Sequence, residues 1–367
     1  MKIATIVGAR PQFIKTAPVS KELRRRHQEV LVHTGQHYDD ELSGIFFREL
    51  DIPPPDYELG IGSGSHGRQT GLMLVALEEV LEKERPDWVM VYGDTNSTLA
   101  GALAASKLHL PIAHVEAGVR SYNRLMPEEV NRVLTDHLAS LLFCPSFTAM
   151  SNLGREGIQE GVWHVGDVMR DAMLRFLPVA CARSSILARL RLEPKSYGLL
   201  TLHRAENVDG PERLMKLLRA VSRIDIPVIF IVHPRTRNHL AELGSFAFSK
   251  QLRPVDPIGY LDMLVLQSNA RIILTDSGGV QREAHFLSVP SIIIRKETEW
   301  PELLEAGASR LAEEDLDIVM HDLLQLPQPS VPCAAFGNGD ASLKIVRHFD
   351  LLEGAAIQPN QFSAVWN

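Results

Sequence analysis

Carboxylates recur just after short apolar runs in this chain. Asp94 follows Tyr92-Gly93, Glu116 follows His114-Val115, and Glu128 comes directly after Pro127 at the start of a stretch with helical periodicity. If three such groups share one cleft wall, crowding and burial hold one protonated while another stays ionised, and that pairing suits proton transfer. Each also has a plainer reading. Asp94 precedes Thr95-Asn96-Ser97, so helix capping explains it equally well. Proline as first helical residue followed by Glu128 and Glu129 is ordinary N-terminal helix chemistry.

A second group of residues suits an anion. Gly8-Ala9-Arg10-Pro11-Gln12-Phe13-Ile14-Lys15 puts Arg10 at a strand end and Lys15 on the next helix, where the helix N-terminus adds to their charge. His203 and His233 each follow a later apolar run. Thr275-Asp276-Ser277-Gly278-Gly279 ends another and opens a helix, which offers backbone amides to a phosphate. Glu283, farther along that helix, can accept both hydroxyls of a ribose.

Other chemistries lack their signatures. Gly62-Ser63-Gly64-Ser65-His66-Gly67 matches the dinucleotide pattern as a string, but it follows the turn-rich Pro53-Pro54-Pro55-Asp56 and reads as a loop. There is no phosphate-binding GxxxxGK[ST] string. Thr275 stands where a nucleophile elbow around Ser277 needs glycine. His33 and His37 flank Gly35 and no HExxH occurs, so no metal site is expected.

These residues need a frame that brings strand ends together. Lys2–Val7, Glu29–His33, Asp87–Tyr92, Pro111–Val115, Leu141–Cys144 and Val162–Val165 read as buried strands, with helices at Thr95–Lys107 and Glu128–Leu138. The pattern restarts with Tyr197–Leu202, Pro227–Val232, Arg271–Leu274 and Pro290–Ile294. Helices near Pro211–Ser222, Tyr260–Gln267 and Gly279–Leu287 separate those strands. The expected fold is α/β, two Rossmann-like doubly wound domains facing across a cleft. Residues 1–168 form the first and 169–340 the second, with Pro178 and Pro194 punctuating the joint and a final helix within 341–367 packing back on the first. A length of 367 residues suits two domains of ~100–200 residues each. A net charge of −7 disfavours a general nucleic-acid binder, and no apolar run is long enough to span a membrane. Three cysteines without a CxxC pair, and no secretory signal, suggest a reducing, cytoplasmic setting.

Taken in order, Gly8–Lys15, Thr34–Asp39, Tyr92–Thr98, His114–Arg120, Met126–Arg132, His203–Asn207, Asp276–Glu283, Arg295–Trp300 and Phe336–Ser342 resemble the non-hydrolysing UDP-N-acetylglucosamine 2-epimerase family. The resemblance implies a glycosyltransferase-B architecture, a UDP-sugar substrate, no metal, no nicotinamide and a homodimer. It implies inversion at C2 through loss of UDP to a 2-acetamidoglucal and its re-addition. Asp94, Glu116 and Glu128 are then the acid/base groups, and His203 lies near the phosphates. Arg10, Lys15 and His233 contact the UDP-sugar, Ser277, Gly278 and Gly279 hold the pyrophosphate, Glu283 holds the ribose, and the uracil lies near Met263. Some relatives are activated by substrate at a second site. Gln36 and His37 match part of that site and Asp39 departs from it. Tyr122–Pro127 and Thr298-Glu299-Trp300 look more like the branch acting on UDP-2,3-diacetamido-2,3-dideoxy-glucuronic acid, for which Arg124 would supply a cation. A UDP-sugar glycosyltransferase is a further alternative.

Overall fold

The computed structural model describes residues 1–36, 44–242, 251–312 and 334–354. Two compact units emerge. One comprises residues 1–175 with 334–367, the other residues 176–333. The division falls a few residues beyond the 168/169 boundary expected from sequence.

The first unit alternates strands and helices: β1 (Lys2–Val7), α1 (Arg10–Leu23), β2 (Gln28–His33), α2 (Gly44–Glu49), β3 (Tyr57–Glu58), α3 (His66–Glu84), β4 (Trp88–Tyr92), α4 (Asn96–Lys107), β5 (Ile112–Val115), α5 (Pro127–Leu138), β6 (Leu141–Cys144), α6 (Phe147–Arg155), β7 (Val162–His164) and the first half of α7 (Val168–Arg183), whose second half belongs to the other unit. Its strands form one parallel sheet in the order β3-β2-β1-β4-β5-β6-β7. Ala4, Ile6, Val89 and Val91 are fully buried under Met73, Leu77 and Leu81 of α3 and the alanines of α4. Such two-sided burial explains why the strands read as continuous apolar runs.

The second unit repeats the scheme: α8 (Ile186–Leu190), β8 (Gly198–Leu202), α9 (Ala205–Val208), α10 (Pro211–Val221), β9 (Val228–Val232), α11 (Pro234–Glu242), β10 (Leu252–Val255), α12 (Tyr260–Asn269), β11 (Ile272–Thr275), α13 (Gly278–Phe286), β12 (Ser291–Ile293), α14 (Pro301–Glu305) and β13 (Ser309–Leu311). Its sheet is parallel, in the order β10-β9-β8-β11-β12-β13. A last helix, α15 (Ala341–Gly354), belongs to the first unit and packs on α1.

Both sheets are doubly wound. The chain runs outward from β1 in one direction, returns to β4 and runs outward in the other. In the second unit the same reversal lies between β8 and β11. The carboxyl ends flanking such a reversal are where open α/β sheets bind ligands, because the loops part there. Arg10 and Asp94 follow one such pair of ends, and His203 and Ser277 the other.

Two local expectations need correction. The 62–67 glycine string is not wholly loop: α3 begins at His66, and the two-residue edge strand β3 precedes the string. A Cβ on Gly64 or Gly67 would meet nothing, so no close backbone approach requires glycine there. Pro178 does not end a helix but stands inside α7.

Candidate functional site

In the first unit the site is built on the turn after β1. Gly8 passes so close to its neighbours that a Cβ would lie 1.9 Å from Thr34 Oγ1 and 2.3 Å from Ser97 Oγ. Those two hydroxyls bond each other at 2.8 Å, and Ser97 Oγ donates to Gln36 Oε1 at 2.8 Å. Gln12 accepts from the Gly8 and Ala9 amides and donates to Tyr92 O and Thr98 Oγ1. One buried amide side chain thus ties the turn after β1 to the turn after β4.

Lys15 and Glu116 meet within this frame. Lys15 Nζ lies 2.6 Å from Glu116 Oε1, and both side chains are buried. A buried pair with its partner removed leaves a costly lone charge, so the two residues depend on each other. Glu116 adopts φ +76, a left-handed conformation that is strained for a side chain of this kind. The turn after β4 runs alongside through Gly93, at φ +61, where a Cβ would sit 2.9 Å from Lys15 Nζ. Only glycine passes the ion pair at that distance.

Geometry bears on the plainer readings of the acids. Thr95, not Asp94, caps α4: its hydroxyl accepts from Thr98 N at 3.3 Å. The Asp94 carboxylate instead takes a hydrogen bond from Arg132 of α5, and Asn131 donates to its carbonyl at 2.9 Å. Glu129 is the structural acid of its pair. It is buried and accepts from Ser121 N, Ser121 Oγ, Tyr122 N and Arg132 Nη1. Glu128 is half-buried and has no hydrogen-bond partner among the described residues. It stands one turn before Arg132, on the same helix face. Two of the three sequence-nominated carboxylates are thus held by cations, Asp94 by Arg132 and Glu116 by Lys15, while Glu128 lies on the same α5 face as Arg132. Arg10, also half-buried, lies with its guanidinium 5.3 Å from the centre of the Phe46 ring. His37 and Asp39 lie outside the described residues.

In the second unit Asp276 organises the ends of β8 and β11. Its fully buried carboxylate accepts from the His203 and Arg204 amides and from Asn207 Nδ2. The His203 ring Nδ1 lies 3.0 Å from Asp276 Oδ1, and the His203 and His233 ring centres are 5.5 Å apart. Burial raises the Asp276 pKa, but the His203 charge and the donors outweigh it, so the carboxyl lies below its ordinary range. Ser277 caps α13 through its hydroxyl, and Gly278 and Gly279 form the helix's first turn, whose amides have no partner within the helix. Glu283 is buried and accepts from Gln267 Nε2 at 2.7 Å. Gln267 and the buried Met263 are one turn apart on α12, so the hydrogen-bond partner of Glu283 shares a helix face with the position nominated for the base. Arg282 stacks 4.0 Å from the Trp300 ring centre, and Arg295 pairs with Glu299 at 2.6 Å.

Sequence reasoning gave no role to Gln12, Arg132 or Asp276, which hold the nominated residues in place. A buried acid or amide beside a strand end was the available signal. The first unit offers carboxylates with paired cations for moving a proton. The second offers a helix start, two histidines and a buried carboxylate for a nucleotide.

Comparison with known proteins shows the family. The model of the UDP-N-acetylglucosamine 2-epimerase family matches residues 21–350. A Methanococcus maripaludis protein named UDP-N-acetylglucosamine 2-epimerase homolog is 52% identical, over 94% of this chain and 98% of its own. The UDP-2,3-diacetamido-2,3-dideoxy-D-glucuronate 2-epimerase of Pseudomonas aeruginosa is 46% identical, over 95% and 99%. The crystal structure of the Methanocaldococcus jannaschii UDP-GlcNAc 2-epimerase in complex with UDP-GlcNAc and UDP superposes with a TM-score of 0.89 at 45% identity, covering 96% of this chain and all of that one. Both units here are Rossmann-like domains of the glycosyltransferase-B kind. From its sheets and strand-end residues to its relatives, the chain belongs to the UDP-N-acetylglucosamine 2-epimerase family.

Proposed function

We propose that the protein interconverts UDP-N-acetylglucosamine and UDP-N-acetylmannosamine. The observation that carries this reading is the set of carboxylates after neighbouring strands: Asp94 held by Arg132, Glu116 held by Lys15, and Glu128 on the Arg132 face with no hydrogen-bond partner among the described residues. A carboxylate takes the C2 proton, and the electron pair of that C–H bond forms the C1=C2 double bond. The C1–O bond breaks and UDP leaves with its electrons. A carboxylic acid then returns a proton to the opposite face of C2, and UDP adds back to C1. Ser277, Gly278, Gly279 and His203 offset the charge that develops on the leaving phosphate. Arg10, Lys15 and His233 contact the UDP-sugar, Glu283 takes the ribose hydroxyls, and the base lies near Met263. The relative bound to UDP-GlcNAc and UDP supports this substrate.

The protein works as a cytoplasmic homodimer in this reading. Leu72 and Val75 of α3 and Val130 and Leu134 of α5 are exposed on helices that both pack on α4, which supports a partner on that side of the first unit. Among the described residues, no helix is long and apolar enough to cross a membrane.

Incubation with UDP-N-acetylglucosamine in D2O tests the reaction. Deuterium at C2 of both epimers is expected by proton NMR, and absence of exchange overturns it. A parallel incubation with the diacetamido uronate separates the two substrates, the favoured one giving the higher kcat/KM.

A further inference from the structure

Behind the carboxylates lies a histidine that the proposed chemistry does not use. His114, on β5, is fully buried. Its Nε2 is 2.7 Å from the Gly93 carbonyl oxygen, and its Nδ1 is 2.7 Å from Asp136 Oδ1. A carbonyl oxygen only accepts, so Nε2 carries a proton. Asp136, also buried, accepts in addition from Arg120 Nη1 at 2.6 Å and the Gly118 amide at 3.0 Å. Arg120 is shared with Glu156, just past the end of α6, and the buried Cys144 thiol also feels the Asp136 and Arg120 charges. A carboxylate receiving a guanidinium and an amide is an acceptor toward the ring as well, so Nδ1 also donates.

We propose that His114 and Asp136 are positioning residues for proton transfer at C2, with the His114 ring donating from both nitrogens. The inference rests on the C2-epimerase reading. Gly93 N already donates to Val115 O, and the His114 ring grips Gly93 O, so the turn leading into Asp94 is fixed from both sides. Asp136 meanwhile fixes the Gly118 amide and Arg120, which set the turn that starts at Glu116. Asp136 lies on α5 one turn beyond Arg132 and two beyond Glu128. One face of one helix therefore sets Asp94 twice, through Arg132 and through His114, sets Glu116 through its turn, and carries Glu128 itself. Burial opposes a charge on Asp136. The His114 and Arg120 charges outweigh it, and its carboxyl lies below the ordinary range.

Two measurements on the full-length enzyme test this. In protein with 15N-labelled histidine, both His114 ring nitrogens are expected to resonate as protonated near neutral pH. An unprotonated ring nitrogen overturns the proposal. His114→Phe removes both donors and is expected to lower kcat about 100-fold, the scale for a misplaced catalytic group, with KM changed less than about 3-fold. His114→Gln, which keeps one donor, is expected to recover part of the loss. Wild-type kcat in His114→Phe, or a change confined to KM, overturns the positioning role. If His114→Phe does not fold, the nitrogen spectrum decides. Wild-type turnover is measured alongside, so failure of the epimerase reading is seen separately from failure of this one.

Discussion

The carboxylate with two plausible sequence roles turned out to be separable at the level of single atoms. Thr95 satisfies the start of α4, which leaves the Asp94 carboxylate for Arg132. Asp94→Asn is expected to lower C2 deuterium uptake by ~10²-fold or more, the usual range for a lost general acid or base. UDP affinity by calorimetry is expected to stay near wild type, because the residues nominated for the pyrophosphate, ribose and base lie in the second unit. A glycosyltransferase would tolerate the change, so retained activity would point away from epimerisation. Lys15 makes a different case. Lys15→Met leaves Glu116 as an uncompensated buried charge and is expected to cost ~3–5 kcal/mol of stability. Lys15→Met with Glu116→Gln is expected to regain most of that stability in denaturant unfolding while remaining inactive. If the double variant is as unstable as the single one, the ion pair is not what holds this turn.

At the scale of elements, legibility followed burial. Strands such as β1 and β9, buried along their length, appear in the sequence as unbroken apolar runs and were recognisable to within a residue or two. The edge strands β3 and β13 were not, because two or three partly exposed residues make no run. Helix α3 hid behind the glycine string at its start, although Met73, Leu77 and Leu81 repeat at helical spacing. The residues nominated on strand ends stand out by type and position. Arg132 and Asp136 do not, since each lies mid-helix and gains its role from a strand distant in sequence. The turns joining elements are less tolerant than the elements. Gly8→Ala places a methyl on Thr34 Oγ1 and Ser97 Oγ. It is expected to destabilise the first unit by ~1–3 kcal/mol, as overpacking does, and to lower activity with it. Thermal unfolding checks this, and Gly8→Ala combined with Ser97→Gly is expected to recover part of the loss.

At the scale of the whole molecule, each unit contains a buried aspartate whose ionisation links folding to pH with the same sign, and a third, Asp171, carries the opposite one. Asp276 in the second unit and Asp136 in the first have folded pKa values below the ordinary 3.8. Their stabilising contribution is full above that value, where both folded and unfolded chains are ionised. It is lost as pH falls through the folded value, because the unfolded chain takes up the proton first. Asp171 runs the other way. Burial raises its pKa despite hydrogen bonds from the Ala341 and Ser342 amides and the Ser342 hydroxyl at the start of α15. Between 3.8 and its raised folded value it takes up a proton more readily in the folded chain, so it adds stability as pH falls through that window. The melting temperature from about pH 6 to about pH 2.5 is therefore expected to change little at first and then to fall steeply below about 3.8. Asp276→Asn is expected to lower stability near neutral pH, where the carboxylate's contacts with the His203 ring and with the His203 and Arg204 amides are weakened, and to flatten the acid limb. Parallel curves for wild type and Asp276→Asn would mean that the His203–Asp276 contact does not stabilise the second unit. His203 would then need another group to hold its ring for the nucleotide.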